Sequence, residues 1–324
     1  MYNKAISKIY TILFFSLIIF FGLAFAACAK KDAPEIINIS YVESPFNLQL
    51  MVMKEKGTLE EAFAARNIKV AWHEINSGAD QTQAMAAGSL DIASVINSTS
   101  VILANAAGNS VKICGIVSRP RKTFALLTGP EGPANVQELK GKTIAGPKGT
   151  VLHQMLVAAL ASEGLSAGDV SFIQMGLPEA RTALLSGQVD GALQAASLII
   201  RGEEAGMKIL FTADGYLSPL LLSAVRPEFA EKNPELLEVY TKAQKETYDW
   251  ILDNTEEAVA IGSRYQGISE ADGLKLYEWS GMAVYMNEGD IEALKADVDF
   301  LFSEAMIEQK INPRDIFLGG VRSK

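Results

Sequence analysis

The sequence predicts an α/β protein of two similar lobes, because two stretches of the chain repeat one order of strands and helices. The β-rich runs that we interpret as strands are 36–42, 70–75 and 90–95 in the first stretch and 142–145, 170–175 and 189–193 in the second. Helical patterns separate these runs in both stretches. Because strands that alternate with helices are joined by right-handed crossovers, each stretch predicts one mostly parallel sheet flanked by helices.

The predicted helices lie between the strands, and several of them stop at a glycine. Their expected ranges are 48–56, 79–87 and 98–107 in the first stretch and 150–163 and 178–186 in the second. Gly88, Gly164 and Gly187 follow three of them, where a left-handed residue ends a helix. The phrases 87–93 and 186–192 occupy the same place in each stretch, which supports a duplicated supersecondary unit.

Two apolar segments, 123–128 and 220–225, are interpreted as crossing segments that join the lobes. The tail over 234–305 carries apolar residues at helical intervals and is expected to return to the first lobe. The predicted domains are a leader over 1–28, a discontinuous lobe 1 over 35–124 and 220–324, and lobe 2 over 125–219. Two lobes joined by two crossing segments are suited to hinge closure.

The first 28 residues have the pattern of an export signal. Lys4 and Lys8 precede an apolar run over 9–25, and small residues lead to Cys28. This ending resembles the bacterial lipoprotein box, so we expect cleavage before Cys28 and lipidation of its thiol. An uncleaved anchor and a secreted protein without lipid are the alternatives, because about 18 apolar residues can span a bilayer. All three place the folded part outside the cytoplasm.

Charge and composition exclude several classes of function. The net charge of -9 argues against nucleic acid as a partner. Cys114 lies in an apolar run and is expected to be a buried residue without a disulfide partner. His73 and His153 lie far apart without other ligands at metal-binding spacing, so neither a metal nor a cofactor is expected. No nucleophile motif is visible, and the chain is not expected to be an enzyme.

Ligands of open α/β sheets bind beyond the carboxyl ends of the strands, where helices begin. The loops at these positions contain hydroxyl, amide and glycine residues. The candidate ligand-binding residues in them are Ser44, Phe46, Asn47, Ser77, Gly78, Asn97, Ser98, Thr99, Lys148, Gly149, Thr150 and Gln194. Helix N-termini carry partial positive charge, so facing helix starts favour a small anion. Ordinary N-capping is the alternative interpretation of any single position.

Five short phrases resemble the alkanesulfonate, taurine and nitrate group of ABC transporter substrate-binding proteins. They are Lys56-Gly57-Thr58-Leu59-Glu60, Gly88-Ser89-Leu90-Asp91-Ile92, Leu139-Lys140-Gly141-Lys142-Thr143-Ile144-Ala145, Lys148-Gly149-Thr150-Val151-Leu152-His153 and Gly187-Gln188-Val189-Asp190-Gly191-Ala192. The resemblance extends over about 36–225. It implies a type II periplasmic-binding-protein-like fold, and it implies that 97–99 and 149–153, with Val151 and His153, lie in the cleft. His153 lies one turn into its helix, where its side chain either contacts the ligand or packs against neighbouring residues of the protein.

The resemblance implies a receptor that closes on a small solute and delivers it to an ABC permease driven by a cytoplasmic ATPase. We expect a monomer that is held at the membrane by its N-terminal lipid and has no nucleic-acid partner. Sulfonate binders of this group often carry an acidic or bulkier aromatic residue in the loops after the third strands. In this chain these loops read Asn-Ser-Thr at 97–99 and Gln-Ala-Ala at 194–196. Sulfonate is therefore the default solute, with nitrate and taurine in the same class.

Two other functions fit the same fold. Relatives of this group include pyrimidine-precursor synthases that use a histidine and bound iron, but these depend on a cysteine-rich segment, and here only Cys114 follows the leader. An extracytoplasmic sensor is the other alternative. The sensor would need a separate transducer, because the chain shows no cytoplasmic domain.

Overall fold

The computed structural model describes residues 34–42 and 46–318. The described residues from Ile36 onward form one compact unit. The predictions for the leader, for lipidation of Cys28 and for Ser44 fall outside the described residues.

The first sheet has five strands in the order β2-β1-β3-β10-β4. They are β1 (Ile36–Tyr41), β2 (Lys69–Glu74), β3 (Ile92–Asn97), β4 (Lys112–Ser118) and β10 (Leu221–Val225). β1 pairs in parallel with β2 and β3, whereas β10 runs antiparallel to both of its neighbours. Four strands of this sheet therefore point the same way, and one is reversed.

The second sheet repeats this plan in the order β7-β6-β8-β5-β9. Its strands are β5 (Phe124–Thr128), β6 (Thr143–Gly146), β7 (Ser171–Gln174), β8 (Gly191–Ala195) and β9 (Lys208–Thr212). β6 pairs in parallel with β7 and β8, and β5 is antiparallel to β8 and β9. The predicted α/β fold with two mostly parallel sheets is confirmed.

Helices flank both sheets. Before the tail they are α1 (Leu48–Glu55), α2 (Thr58–Ala64), α3 (Gly78–Ala86), α4 (Ser98–Ala106), α5 (Val151–Ser162), α6 (Leu177–Leu185) and α7 (Ser197–Glu204). The tail supplies α8 (Pro227–Lys232), α9 (Pro234–Asp253), α10 (Thr255–Gln266), α11 (Glu270–Ser280) and α12 (Glu288–Ser303). Short 3-10 turns occupy Val136–Leu139, Ala167–Asp169 and Pro313–Ile316. The predicted helices agree with these within about two residues, but α2 and α7 were not predicted.

The interpretation of 123–128 and 220–225 as crossing segments is wrong. Both are strands, β5 and β10, and all five residues of each are buried. Their unbroken apolar sequences suit strands that are covered on both faces, because such strands do not alternate apolar and polar residues. The chain passes between the sheets just outside them, over 119–123 and 213–220. The predicted third strand at 90–95 is also displaced, to Ile92–Asn97.

The tail packs on the first sheet through α9. Leu236, Leu237 and Tyr240 of this helix are buried in one cluster with Ile37 and Ile39 of β1. These residues recur at the 3.6-residue period of a helix, so the amphipathic pattern of the sequence and the observed packing agree. The C-terminal helices thereby cover one face of the sheet that the first third of the chain begins.

The end of β4 is braced by the residue that follows α11 and by the first turn of α12. The Arg119 guanidinium donates to both carboxylate oxygens of Asp290, through Nε at 2.6 Å and Nη2 at 2.7 Å. This hydrogen bond raises the pKa of Arg119 further above its ordinary value. The Arg119 backbone N–H donates to the Gly281 carbonyl at 2.8 Å. The chain is therefore held from both sides where it leaves the first sheet.

Cys114 is buried in β4, as expected. Burial raises the pKa of its thiol to about 12, so the reactive thiolate is scarce at neutral pH. Within 34–42 and 46–318, no helix combines the length and apolarity that a bilayer crossing requires. The same residues contain no group of three or more side chains able to hold a metal ion.

Candidate functional site

A cavity of about 400 Å³ lies at the carboxyl ends of strands from both sheets. Its described lining residues are Val42, Asn76, Ser77, Gly78, Asp80, Gln81, Val95, Ile96, Asn97, Phe124, Pro147, Thr150, Val151, Leu152, Gly176, Leu177, Pro178, Glu179, Ala195, Leu198 and Leu221. Ligand pockets of proteins are commonly concave and mostly apolar with a few polar groups. The apolar strand residues and the polar helix starts together match that description.

The wall from the first sheet is built around the starts of α3 and α4. The Ser77 hydroxyl accepts from the backbone N–H of Asp80, and the Asn97 side chain accepts from that of Ser100 at 2.9 Å. Gly78 lies between these caps, where a Cβ would come within 2.5 Å of the Ser100 hydroxyl. The two helix starts can approach so closely because Gly78 has no side chain.

The wall from the second sheet is the start of α5, whose N-cap residue is Thr150. The Thr150 hydroxyl donates to the Pro147 carbonyl at 2.9 Å and makes no capping bond. No acidic residue lies in the first turn of this helix. The first backbone N–H groups of α5 have no intrahelical acceptor, so they can donate to an anionic group of a ligand.

Asp80 and Glu179 supply the formal charges among the described lining residues. Both side chains are exposed, and both lie in the first turn of a helix, where a carboxylate offsets the helix dipole. Lys148 is exposed and is not among the lining residues. An anion in this cavity would therefore be attracted by the start of α5 and not by a full positive charge among the described lining residues.

The structure brings five of the predicted residues to the cavity. These are Ser77, Gly78, Asn97, Thr150 and Val151. The other described candidates are not on its wall, and they are Phe46, Asn47, Ser98, Thr99, Lys148, Gly149, His153 and Gln194. The residues of the second group lie within a few residues of helix starts. The sequence therefore located the correct loops, but it did not show in which direction each side chain points.

Several of these side chains are committed to internal contacts. Asn47 donates to the Val42 carbonyl at 3.1 Å, and Gln194 donates to the Leu177 carbonyl at 2.9 Å. Phe46 packs in a buried cluster beside Gly262. The Gly149 carbonyl accepts from the Ser100 hydroxyl at 3.1 Å, which joins the two walls directly. Ser98 and Thr99 are fully buried in a polar network described below.

His153 packs against the ring of Phe172, with 4.8 Å between the ring centroids. It is half-buried, and burial together with the charge of Lys148 lowers the pKa of the imidazole to about 4. The ring is therefore neutral at pH 7. The sequence left ligand contact and internal packing open for His153, and the structure shows packing against Phe172.

The sequence did not single out some of the lining residues. Asn76 and Gly176 lie in loops that the strand-end rule selects, and 177–179 form the first turn of the helix that follows Gly176, so that rule could have included them. Gln81 and most of the apolar lining residues lie within helices and strands. They carry no distinguishing signal, because buried residues of the same types occur throughout the core.

Comparison with known proteins identifies the family. The model of the NMT1/THI5 like family matches residues 49–258. The chain belongs to this family. It is 32% identical to the putative aliphatic sulfonates-binding protein of Bacillus subtilis, over 82% of this chain and 81% of that protein. It is 26% identical to the taurine-binding periplasmic protein of Escherichia coli, over 63% of this chain and 66% of that protein.

Solved structures share the fold of this NMT1/THI5-like protein. The alkanesulfonate-binding protein SsuA of Xanthomonas axonopodis pv. citri bound to MOPS aligns with a TM-score of 0.79 and 21% identity, over 88% of this chain and 98% of that chain. The periplasmic aliphatic sulphonate binding protein SsuA of Escherichia coli aligns with a TM-score of 0.73 and 20% identity, over 89% and 99%. The resemblance to sulfonate- and taurine-binding proteins is confirmed.

These relatives also bear on activity and location. Those with a stated function are binding proteins rather than enzymes, which agrees with the expected absence of catalysis. The Escherichia coli taurine binder is periplasmic, and this similarity supports a location outside the cytoplasm.

Proposed function

We propose that this NMT1/THI5-like protein is the extracytoplasmic receptor of an ABC importer and that its solute binds in the cavity between the two sheets. The observation that supports this most is a cavity of about 400 Å³ lined by helix starts from both sheets. A solute that touches both walls stabilises the closed arrangement by its greater affinity for that state. The importer's permease then recognises the closed receptor.

The proposed domains are lobe 1, over 35–124 and 220–324, and lobe 2, over 125–219. The first sheet takes its strands from the former ranges, and most of the second sheet comes from the latter. The segments 119–123 and 213–220 join the sheets, and they are the proposed hinge. Hinges of this kind are short connections that absorb backbone rotation while the lobes stay rigid.

The proposed solute is a small anion of the sulfonate or nitrate class, with aliphatic sulfonates favoured by the names of the relatives. Its anionic group would accept from the N–H groups at the start of α5. Apolar carbons would contact Phe124, Leu198 and Leu221. Asp80 and Glu179 would repel a multiply charged anion, so a single negative charge suits the cavity best.

The proposed tether is a lipid on Cys28 after cleavage of the leader. With this anchor the receptor would remain at the membrane as a monomer, beside the permease and its ATPase. A lipid chain together with the folded domain places the solute cavity close to the importer without a membrane-spanning helix.

Filling the cavity tests this function. We expect Leu177→Trp to lower the affinity for ethanesulfonate or MOPS at least tenfold, because Leu177 lines the cavity at the start of α6 and the larger ring occupies solute volume. Leu185→Trp is the matched control, since Leu185 ends the same helix, is exposed and is not a lining residue. Titration calorimetry of both variants and of the unchanged protein makes the comparison.

Equal affinity of the two tryptophan variants would place the solute elsewhere and would reject the cavity. Recovery of the solute unchanged after prolonged incubation with the protein is expected of a receptor. Conversion of the solute to a new compound, detected by mass spectrometry, would favour the enzyme alternative.

A further inference from the structure

A buried polar network joins the starts of α4 and α5 to the C-terminal helix α12. The Asp297 carboxylate accepts from the Ser98 hydroxyl at 3.0 Å and from the Gln154 amide at 2.8 Å. The Thr99 hydroxyl donates to the other end of the Gln154 amide. All four side chains are at most 6% exposed. One helix packed on each sheet and one helix from the tail are therefore connected by hydrogen bonds between buried side chains.

This network lies directly behind the cavity. Asn97, which lines the cavity, immediately precedes Ser98, and the lining residues Thr150 and Val151 lie in the turn before Gln154. On its other side, Asp297 lines a second cavity of about 430 Å³ together with Arg121 and residues 214–218. The network is thus placed between the solute cavity and the segments that join the two sheets.

Burying this polar network has an unfavourable desolvation free energy. Burial disfavours the charged carboxylate of Asp297 and raises its pKa to about 6. Apolar side chains of similar size would fill the same volume without that desolvation cost. Apolar contacts, however, tolerate sliding and rotation, whereas the Gln154 amide has a donor and an acceptor that must each meet the correct partner. The network therefore specifies one arrangement of α4 against α5.

We propose that Gln154 and Asp297 are positioning residues for the solute, which set the separation of the two helix starts that form the cavity walls. This inference rests on the proposed function, because it concerns the same cavity. Neither residue lines the solute cavity. Asp297 therefore acts on it through Gln154 and Ser98. With the network intact, the walls are already arranged for the solute in the free protein, and less ordering is required on binding.

The test compares two buried glutamines. We expect Gln154→Leu to lower the affinity for MOPS about tenfold. Energetic coupling between two sites of a protein typically changes affinity by roughly 5- to 150-fold. Gln244→Leu is the control. Gln244 is also buried, donates to the Ile116 carbonyl at 3.2 Å and accepts from the Ser223 hydroxyl at 3.1 Å, but these contacts lie within the first sheet and α9. We expect its affinity for MOPS to match that of the unchanged protein.

A conservative variant separates positioning from general damage. The side-chain amide of the Asp297→Asn variant can still form hydrogen bonds with Ser98 and Gln154 once it and the Gln154 amide are suitably oriented. Asp297→Asn is therefore expected to keep the affinity for MOPS within about twofold, whereas Asp297→Leu is expected to lower it about tenfold. Thermal unfolding of each variant reports stability alongside calorimetry. If Gln154→Leu binds MOPS like Gln244→Leu, the inference is overturned while the receptor function stands. If the unchanged protein binds neither MOPS nor ethanesulfonate, the proposed function fails first.

Discussion

Gly281→Ala is expected to destabilise the protein by about 2–5 kcal/mol. Gly281 has φ +55°, and a Cβ there would lie 2.5 Å from the carbonyl oxygen of Arg119. The left-handed backbone alone costs an alanine roughly 1–2 kcal/mol, and overpacking adds roughly 1–3 kcal/mol. The obstacle is backbone, which cannot rotate away as a side chain can. The measurement is the free energy of unfolding from urea titration.

Gly57→Ala separates the two contributions. Gly57 has φ +64°, and a Cβ there would meet no atom within 4 Å. It therefore reports the cost of the left-handed backbone without the collision, and we expect a loss of roughly 1–2 kcal/mol. Equal losses for the two variants would show that the segment 281–283 shifts freely and does not brace the end of β4. The pairing of Ser118 with Met282 argues against such freedom.

Asp297 and His153 are expected to give stability opposite dependences on pH. Burial raises the pKa of Asp297 from 3.8 to about 6, so between these values the folded state binds more protons than the unfolded state. The contribution of Asp297 to stability therefore falls as pH rises from about 4 to about 6. Over the full range the change is about 3 kcal/mol. Arg121 and Asp214, which line the cavity beside Asp297, are the nearby charged groups.

His153 has the opposite sign. Its pKa is lowered from 6.5 to about 4, so the folded state binds fewer protons in this window, and stability rises with pH by about 3 kcal/mol. The two contributions nearly offset each other in the unchanged protein. Asp297→Asn should therefore unmask a rise of stability between pH 4 and pH 6.5, and His153→Phe should unmask a fall.

The readout for this pair is urea unfolding at pH 4.5 and pH 6.5. All other groups titrate alike in the two variants, so the difference between their pH slopes isolates these two residues. Phenylalanine at 153 keeps a ring against Phe172. Slopes of the same sign and size in both variants would contradict the assignment.

Local pattern was enough to predict most of the fold. Period-2 and period-3.6 patterns located the parallel strands and their helices, and glycines marked the helix ends. The same reasoning failed at β5 and β10. Their apolar sequences are compatible with any buried segment, and only pairing with distant strands shows that each lies inside a sheet.

The candidate site was predicted in part for a similar reason. The strand-end rule located the helix starts, and five predicted residues line the cavity. The sequence could not show that Ser98 faces Asp297, since the latter comes from a helix about 200 residues further along the chain. Side-chain direction at a helix start depends on what packs there, and that partner was not local.

The position of β10 constrains the order in which the polypeptide can acquire its structure. β10 lies between β3 and β4, so β4 lacks its neighbour in the first sheet until residues 221–225 have been made. The strands of the second sheet, in contrast, come from one continuous stretch that ends at Thr212. A chain emerging from its N-terminus can thus complete the later sheet before the earlier one. Such delayed long-range pairing slows folding. If the protein is exported as proposed, slow folding would leave more time for the unfolded chain to cross the membrane.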